Sequence, residues 1–429
     1  MEKLLKSAAA MADQADVYYT EESSDNIQFN DGKLDKADSS LKSGMALRVI
    51  KDGKSGFSHT RNLLAPDEMV KQALISAQNG SEARYTLPGT VMPTETIIYD
   101  PAIEKLDKKE LIDKGKALLD YVKARSDGQI NLVIWYSTGR TDLINTNGAR
   151  LCRKGTNFGA FAQMIFPGTG SGLHTYVDSH RQCWISNAEL DRMIELYDIC
   201  RTELVPPTAK LPVIFHAQSM FTLMWRLNEA LSPANIYNGI SPLCGREGEK
   251  VFSEKLTYWQ DPQARDLASS TAFDDEGTPT QTLHFFKDGV FNAYPADLYY
   301  AGKLGKEPTG NGFRGSIEAM PGTHIFNEIV DPGTKTLQEM IASIDNGLIV
   351  FSLMGAHSGN ILAGEFSVGV ASGLLIQNGK PVGRVKDCML SGNVYDNLQR
   401  IVDIESTTTP MGGRKYPSVL LDGVSVAGK

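Results

Sequence analysis

The 429-residue sequence is 41% hydrophobic and 22% charged, with 40 glycines and 19 prolines, a globular balance that excludes collagen, extended disorder and coiled coil. Its 43 Lys and Arg face 51 Asp and Glu, and a formal charge of −8 lacks the electrostatic footprint of a nucleic-acid binder. The same charge disfavours anionic lipid surfaces, and at roughly 100–200 residues per domain the length suits two lobes.

In chain order, residues 1–16 read as an amphipathic first helix rather than a signal peptide, because Asp13 and Asp16 follow the short apolar stretch at once. The pairs Asp31-Gly32, Asp52-Gly53, Asn147-Gly148, Asp288-Gly289 and Asn378-Gly379 sit between apolar or alternating segments. Such pairs tolerate positive φ and suit hairpins, so they predict abundant antiparallel sheet. Apolar stripes predict helices over 107–125, 187–204, 217–231 and 335–346. The first opens with Asp107 and Glu110 in capping-box spacing, and the last ends at Asn346-Gly347. The run LIVFSLMGA (348–356) suits a buried strand, too short to cross a membrane.

Between the second and third stripes, Val205-Pro206-Pro207-Thr208 precedes a fresh apolar strand, LPVIF (211–215), and marks a boundary. The expected architecture is α+β: two lobes, 1–205 and 206–429, rich in antiparallel sheet with packed helices. Five cysteines (152, 183, 200, 244, 388) without a C-x-x-C pair argue against a disulfide framework or a cysteine-rich zinc site. Reduced thiols and the absence of a leader point to the cytoplasm.

Chemistry is sparse in the pattern. There is no P-loop, no G-x-S-x-G elbow and no H-E-x-x-H, and Gly168–Gly172 reads as a plain loop. His174, Asp178 and His180 share parity and would share a face of a strand, compatible with a metal or with an ordinary polar surface. His216 opens the third predicted helix, a place for a capping or surface residue. Asp274, Asp275 and Glu276 could bind a cation or do acid–base work, but their spacing favours a solvated turn. These residues alone support an α+β protein of open function.

The order of several segments resembles the TldD/PmbA family, described as modulators of DNA gyrase and related to zinc-dependent proteases. The resemblance rests on ADVYYTEESSDNIQFNDGKLDKADSSLKSGMALRVIKDGKSGFSHT in the first lobe. In the second it rests on FDDEGTPTQTLHFFKDGVF, TGNGFRGS (309–316), GEFSVGVASGLLIQNGKPVG (364–383), LSGNVYDNLQRI (390–401) and YPSVLLDGVSVAG. Together they span about residues 15–428.

In the TldD branch an H-E-x-x-x-H motif and a later cysteine hold zinc, which activates water for peptide hydrolysis. Here LPVIFHAQSMF falls on that stretch. His216 matches the first histidine, while Ala217 and Phe221 replace the glutamate and the second histidine, and Cys388 sits in a different context. GEFSV and SGN resemble the PmbA/TldE branch, whose members lack the zinc ligands and pair with a TldD-like subunit in a cytosolic protease of unfolded peptides.

The resemblance therefore implies no catalytic residue, metal or cofactor in this chain and zinc in a TldD-like partner, while the acidic charge argues against contact with membrane or nucleic acid. The alternative is a stand-alone homodimer that binds peptides or acts as a chaperone, without catalysis. Literal gyrase modulation disagrees with the acidic charge. Asp274, Asp275 and Glu276 are expected to order a turn, Asn311 and Arg314 to position a loop or meet a substrate carboxylate, and His216 and His357 to line a peptide chamber.

Overall fold

The computed structural model describes residues 1–62, 67–89 and 98–428. Its first lobe is built on six antiparallel strands: β1 (Gln14–Asn30), β2 (Lys33–Lys51), β3 (Lys54–Thr60), β4 (Gln129–Asn145), β5 (Arg150–Ile165) and β6 (Gly172–Ser179). They lie in the order β3-β2-β1-β4-β5-β6. Asp31-Gly32 and Asp52-Gly53 make the tight turns predicted for them, with both aspartates at positive φ, near +50°. Asn147-Gly148 forms a wider turn in which only Gly148 has positive φ. There the side chain of Asn145 accepts from the backbone N–H of Asn147 and of Ala149 and does the work of closing the loop.

Side chains alternate across a strand, so the sheet has two unlike faces. Ile27, Phe29, Ile130, Leu132, Ile134, Phe158 and Ala160 point to one side. Helices α3 (Lys108–Lys123) and α4 (Asn187–Ile199) cover them, while α1 (Glu2–Ala9) and α2 (Asp67–Gln78) cover Val17, Leu47 and Val49 further along. Asp16, Tyr18, Arg48, Arg153, Asn157, His174 and Asp178 occupy the opposite face, which the second lobe meets.

In the second lobe the strands Ala209–Phe215, Val419–Gly428, Cys388–Asn393, Glu365–Gln377 and Asn346–Met354 pair in sequence, and the last pairs back to the first in parallel. The result is a small closed barrel, which removes exposed sheet edges. Helix α5 (Phe221–Leu231) packs Leu223, Met224, Leu227 and Leu231 into its core with Val213, Phe215, Val350 and Val368. On the barrel's other side Ile214, Ile349 and Leu420 join the cluster of α3 and α4, so one core runs through both lobes.

Four helix boundaries differ from expectation. The first helix, read over 1–16, ends at Ala9, and Gln14 to Asp16 already belong to β1. The predicted 187–204 helix stops at Ile199, and Glu203–Leu204 instead pairs with the strand Lys380–Val385. The predicted 217–231 helix begins as a 3-10 turn, Ala217–Ser219. The predicted 335–346 helix covers Leu337–Ala342, and Asn346-Gly347 opens a strand instead of ending a helix. Close approach explains that glycine: a Cβ at Gly347 would lie 2.4 Å from the carbonyl oxygen of Pro212 on the neighbouring strand. Asp107 caps α3 by accepting from the N–H of Lys109, whereas reciprocal capping boxes form at Ser186–Glu189 and Thr336–Glu339.

Candidate functional site in the inter-lobe cleft

The acidic run does not form the solvated turn that its spacing favours. Asp274, Asp275 and Glu276 are all buried. Asp274 closes its own turn, accepting from the backbone N–H of Glu276, Thr278 and Gly312 at 2.8–3.0 Å. The chain can turn so tightly there because Gly277 takes φ +86°. Asp275 accepts from Arg153 of β5 at 2.5 Å and from the backbone N–H of Arg314 at 2.8 Å. Glu276 accepts from Arg48 of β2 at 2.6 Å and from the N–H of Leu298 at 2.7 Å.

Arg48 also donates to Asp16 at 2.6 Å. The Arg314 guanidinium lies 4.9 Å from the Tyr18 ring and 5.5 Å from the Phe57 ring, donating to the Ala319 carbonyl at 2.7 Å. Burial pushes the carboxyls of Asp274 and Glu276 up, and the negative neighbour Glu276 adds to the effect on Asp274. Arg48 works against it at Glu276. These contacts form a sealed ionic latch between the lobes, because every carboxylate in it is met by charged or backbone donors.

Further along the same interface, His216 caps the 3-10 turn through Nδ1, which accepts from the N–H of Gln218 at 3.4 Å. The ring leans on Phe351 at 5.0 Å, and the Gln218 side chain crosses to β6, donating to the His174 carbonyl at 3.0 Å. Burial, then the neighbouring His174 and Arg192, depress the His216 imidazole to about 4; burial lowers His174 too. Ala217 is buried. Phe221, 37% exposed, stacks on Trp225 at 6.0 Å with the Arg414 guanidinium 4.5 Å from its ring. Neither residue offers a donor atom to a metal. Cys388 is buried in the barrel core, its thiol pushed by burial up to about 11. Among the described residues no group of three or more His, Cys, Asp and Glu side chains is placed to hold a metal ion.

His174 and Asp178 do share a face of β6, but His180 lies beyond the strand's end with both ring nitrogens buried and unpartnered. Asp178 accepts from Asn157 at 2.6 Å, and Trp135 donates to Asn157 at 2.8 Å. Burial pushes the Asp178 carboxyl up, against the hydrogen bond from Asn157. A cavity of about 450 Å³ opens beside this wall, lined by Arg153, Thr271, Phe313, His324 and Phe326. It shares Arg153 and Ile98 with one of about 260 Å³ that reaches Glu22, Arg140 and Asn157. The cleft thus combines charged hydrogen-bonding groups with aromatic walls, suited to holding a polar chain.

Residues 15–77 match the family description "PmbA/TldA metallopeptidase domain 1", and residues 208–428 match "PmbA/TldA metallopeptidase C-terminal domain". The chain belongs to the PmbA/TldD metallopeptidase family. The crystal structure of TldE from Thermococcus kodakarensis has the same fold, with a TM-score of 0.91 and 22% identity over all of both chains. A Thermotoga maritima protein described as a candidate modulator of a DNA gyrase superposes with a TM-score of 0.89 at 26% identity, over 99% of this chain and 100% of that one. A protein named metalloprotease from Methanothermobacter thermautotrophicus is 26% identical over 403 residues, 89% of this chain and 85% of that one.

Within this PmbA/TldD member the residues singled out from sequence fall in four places. Asp274, Asp275, Glu276 and Arg314 come together in the latch, and His216 lies at the same interface near His174. Asn311 lies inside the second lobe, hydrogen-bonded to Gln260, Thr309 and the His324 carbonyl. His357 stands exposed in a separate loop after the strand Asn346–Met354. No sequence pattern singles out Arg48, Arg153, Arg414 or Glu328. Each is an isolated residue within a strand or beside one, and only the tertiary fold gives it a partner.

Proposed function

We propose that this chain is the subunit without zinc, TldE-like, of a TldD/TldE-type metalloprotease that processes unfolded peptides in the cytoplasm. The observation that carries the reading is the stretch His216-Ala217 to Phe221. One imidazole remains, already used as a helix cap, while the other two positions hold a buried methyl and a stacked phenyl ring. A zinc ion that activates water needs about three protein ligands and an open position, and a lone imidazole is far from that set. Peptide hydrolysis would then require a partner carrying the full motif, and this chain would contribute wall, cleft and substrate contacts. Among the described residues no helix is long and apolar enough to cross a membrane.

Reconstitution tests the proposal. Unfolded peptide is incubated with this chain, with a TldD-like partner and with both, while zinc is measured per chain. Cleavage only in the mixture, with zinc only in the partner, is the expected result. Stoichiometric zinc in this chain alone, with chelator-sensitive cleavage, would overturn it. A tagged chain that recovers only second copies of itself would point to a homodimeric peptide binder instead.

A further inference from the structure

We infer that Arg414 presents a carboxylate-reading site on the cleft wall, built to grip an anionic end or side chain of a bound peptide. The inference rests on the reading above that the cleft takes peptides. Arg414 ends the tight turn Met411–Arg414, closed by backbone hydrogen bonds between its first and last residues. Its backbone lies beside Glu328 in a parallel pair, and its Nε donates to Glu328 Oε1 at 3.3 Å. Glu328 is itself fixed: Oε2 accepts from Tyr258 at 2.6 Å, Tyr416 at 2.5 Å and Asn228 at 3.0 Å.

Three neutral donors therefore satisfy Glu328 on one oxygen, and the arginine touches the other only through a long bond. Among the described residues the Nη1 and Nη2 edge of Arg414 has no hydrogen-bond acceptor, and 39% of the side chain is open to solvent. The Phe221 ring supports the guanidinium at 4.5 Å, in the place where the zinc-binding branch carries its second histidine. Tyr176 and Asp178 of β6 face this turn across the lobe interface, and a Cβ at Gly412 would lie 3.8 Å from Asp178 Oδ2. Arg414 lies near enough to Tyr176 to oppose the upward push of burial on its hydroxyl.

A planar fork with its inner edge anchored and its outer edge free matches a carboxylate in bidentate geometry. Pairing the buried Glu328 charge occupies only the Nε side of Arg414 and leaves the outer edge of the fork open, and a ligand site needs its fork held still. Asp178 faces the turn with Oδ2, but Asn157 holds its Oδ1 and burial pushes its carboxyl up toward the neutral form, which weakens its repulsion of a bound carboxylate.

The test is direct binding of short fluorescein-labelled alanine–serine peptides to the purified full-length chain, followed by anisotropy. One peptide has a free C-terminus, one a C-terminal amide, and one an amide with a single internal glutamate. The free acid is expected to bind about tenfold tighter than the amide, the size of one charge-assisted hydrogen-bonded pair. In Arg414→Gln the ratio should fall to about one, and in Arg414→Lys, which keeps charge without the fork, it should be intermediate.

Melting temperatures identify any variant that fails to fold, and the acid-to-amide ratio is a readout that a purely structural arginine would not move. If the internal glutamate restores tight binding to the amide, the site reads side-chain carboxylates as well as termini. Equal binding of acid, amide and glutamate peptides by the unmodified chain, or no binding of any, overturns the inference. Co-elution with a TldD-like partner and the zinc assay decide the subunit proposal separately.

Discussion

Arg48 on the first-lobe sheet and Glu276 on the second lobe meet at 2.6 Å, with both side chains sealed from water. Burying a charge is costly unless it is paired, so this contact demands that Asp16 on one side and the Leu298 N–H on the other complete the set. It sits where two lobes of different topology must agree on a single relative position. Its energetics give the first prediction.

Substituting Arg48→Met strands Asp16 and Glu276 as buried carboxylates and should cost about 3–5 kcal/mol, read from urea unfolding. Glu276→Gln keeps hydrogen-bonding capacity and should cost about 1–3 kcal/mol. Because the two residues share one network, the double variant should lose clearly less than the sum. Strict additivity would mean that the contact contributes nothing to holding the lobes.

Acid should weaken the fold through His216. The His216 imidazole is depressed to about 4 by burial, then by His174 and Arg192, against a reference near 6.5. A folded value below the unfolded one means that the unfolded chain binds the extra proton between those limits. Stability is therefore full above about pH 6.5 and is lost as pH falls toward 4. Since His216 keeps some solvent contact, its share should be about 1–2 kcal/mol. His216→Asn, which can still cap the turn, should flatten the stability profile between pH 6.5 and 4; an unchanged slope would assign the effect elsewhere.

Rebuilding the zinc motif by substitution should fail for a packing reason. Ala217 has no exposed surface, so Ala217→Glu forces a carboxylate into a filled site and should destabilise by about 2 kcal/mol or more. Phe221→His alone should be tolerated, since that ring is partly exposed, and should leave the chain without zinc. Tight stoichiometric zinc in the double variant by elemental analysis would contradict this account.

Arg226 is a buried guanidinium bonded to four carbonyl oxygens, those of Thr222, Ala356, Ser358 and Glu365, and it orders the loop that carries His357. Arg226→Lys retains a charge but cannot reach four acceptors at once, and should cost about 2–3 kcal/mol. Limited proteolysis should then cut within 355–365 first. Protection of that loop in a fully folded variant would show that other contacts hold it.

Much of the fold was legible because its signals are local. A turn at Asp31-Gly32 or Asp288-Gly289 needs only its own backbone to be favourable, and the stripes of α3 and α4 need only their own period. Asn346-Gly347 misled because glycine after an apolar stripe has the same local look whether it stops a helix or lets a strand pass close to Pro212. The acidic run misled for a stronger reason. Glu276 and Arg48 are 228 residues apart, and nothing near either one records that the other will neutralise it. The residues of the cleft share this character, so the sequence pointed to the zinc motif's absence through His216, Ala217 and Phe221 but was silent on Arg414.

β1 and β2 run from Asp16 and Arg48 to a turn at Asp31-Gly32, and β2 passes Leu41 on the way, which is 73% exposed. At about 3.3 Å per residue, Leu41 lies roughly 23 Å along the strand from Arg48. Both ends of this ribbon are held: at the tip the Gly32 N–H donates to the Ile130 carbonyl and Lys123 of α3 to the Asp31 carbonyl, while β1 pairs with β4 along its length and the stretch of β2 that carries Leu41 lies beyond the reach of β3. A load applied at Leu41 would be shared with β4 and α3 as well as carried along β2 toward the contact of Arg48 with Glu276. The ribbon is thus a strut tied at both ends, one of them where the two halves of the molecule are joined.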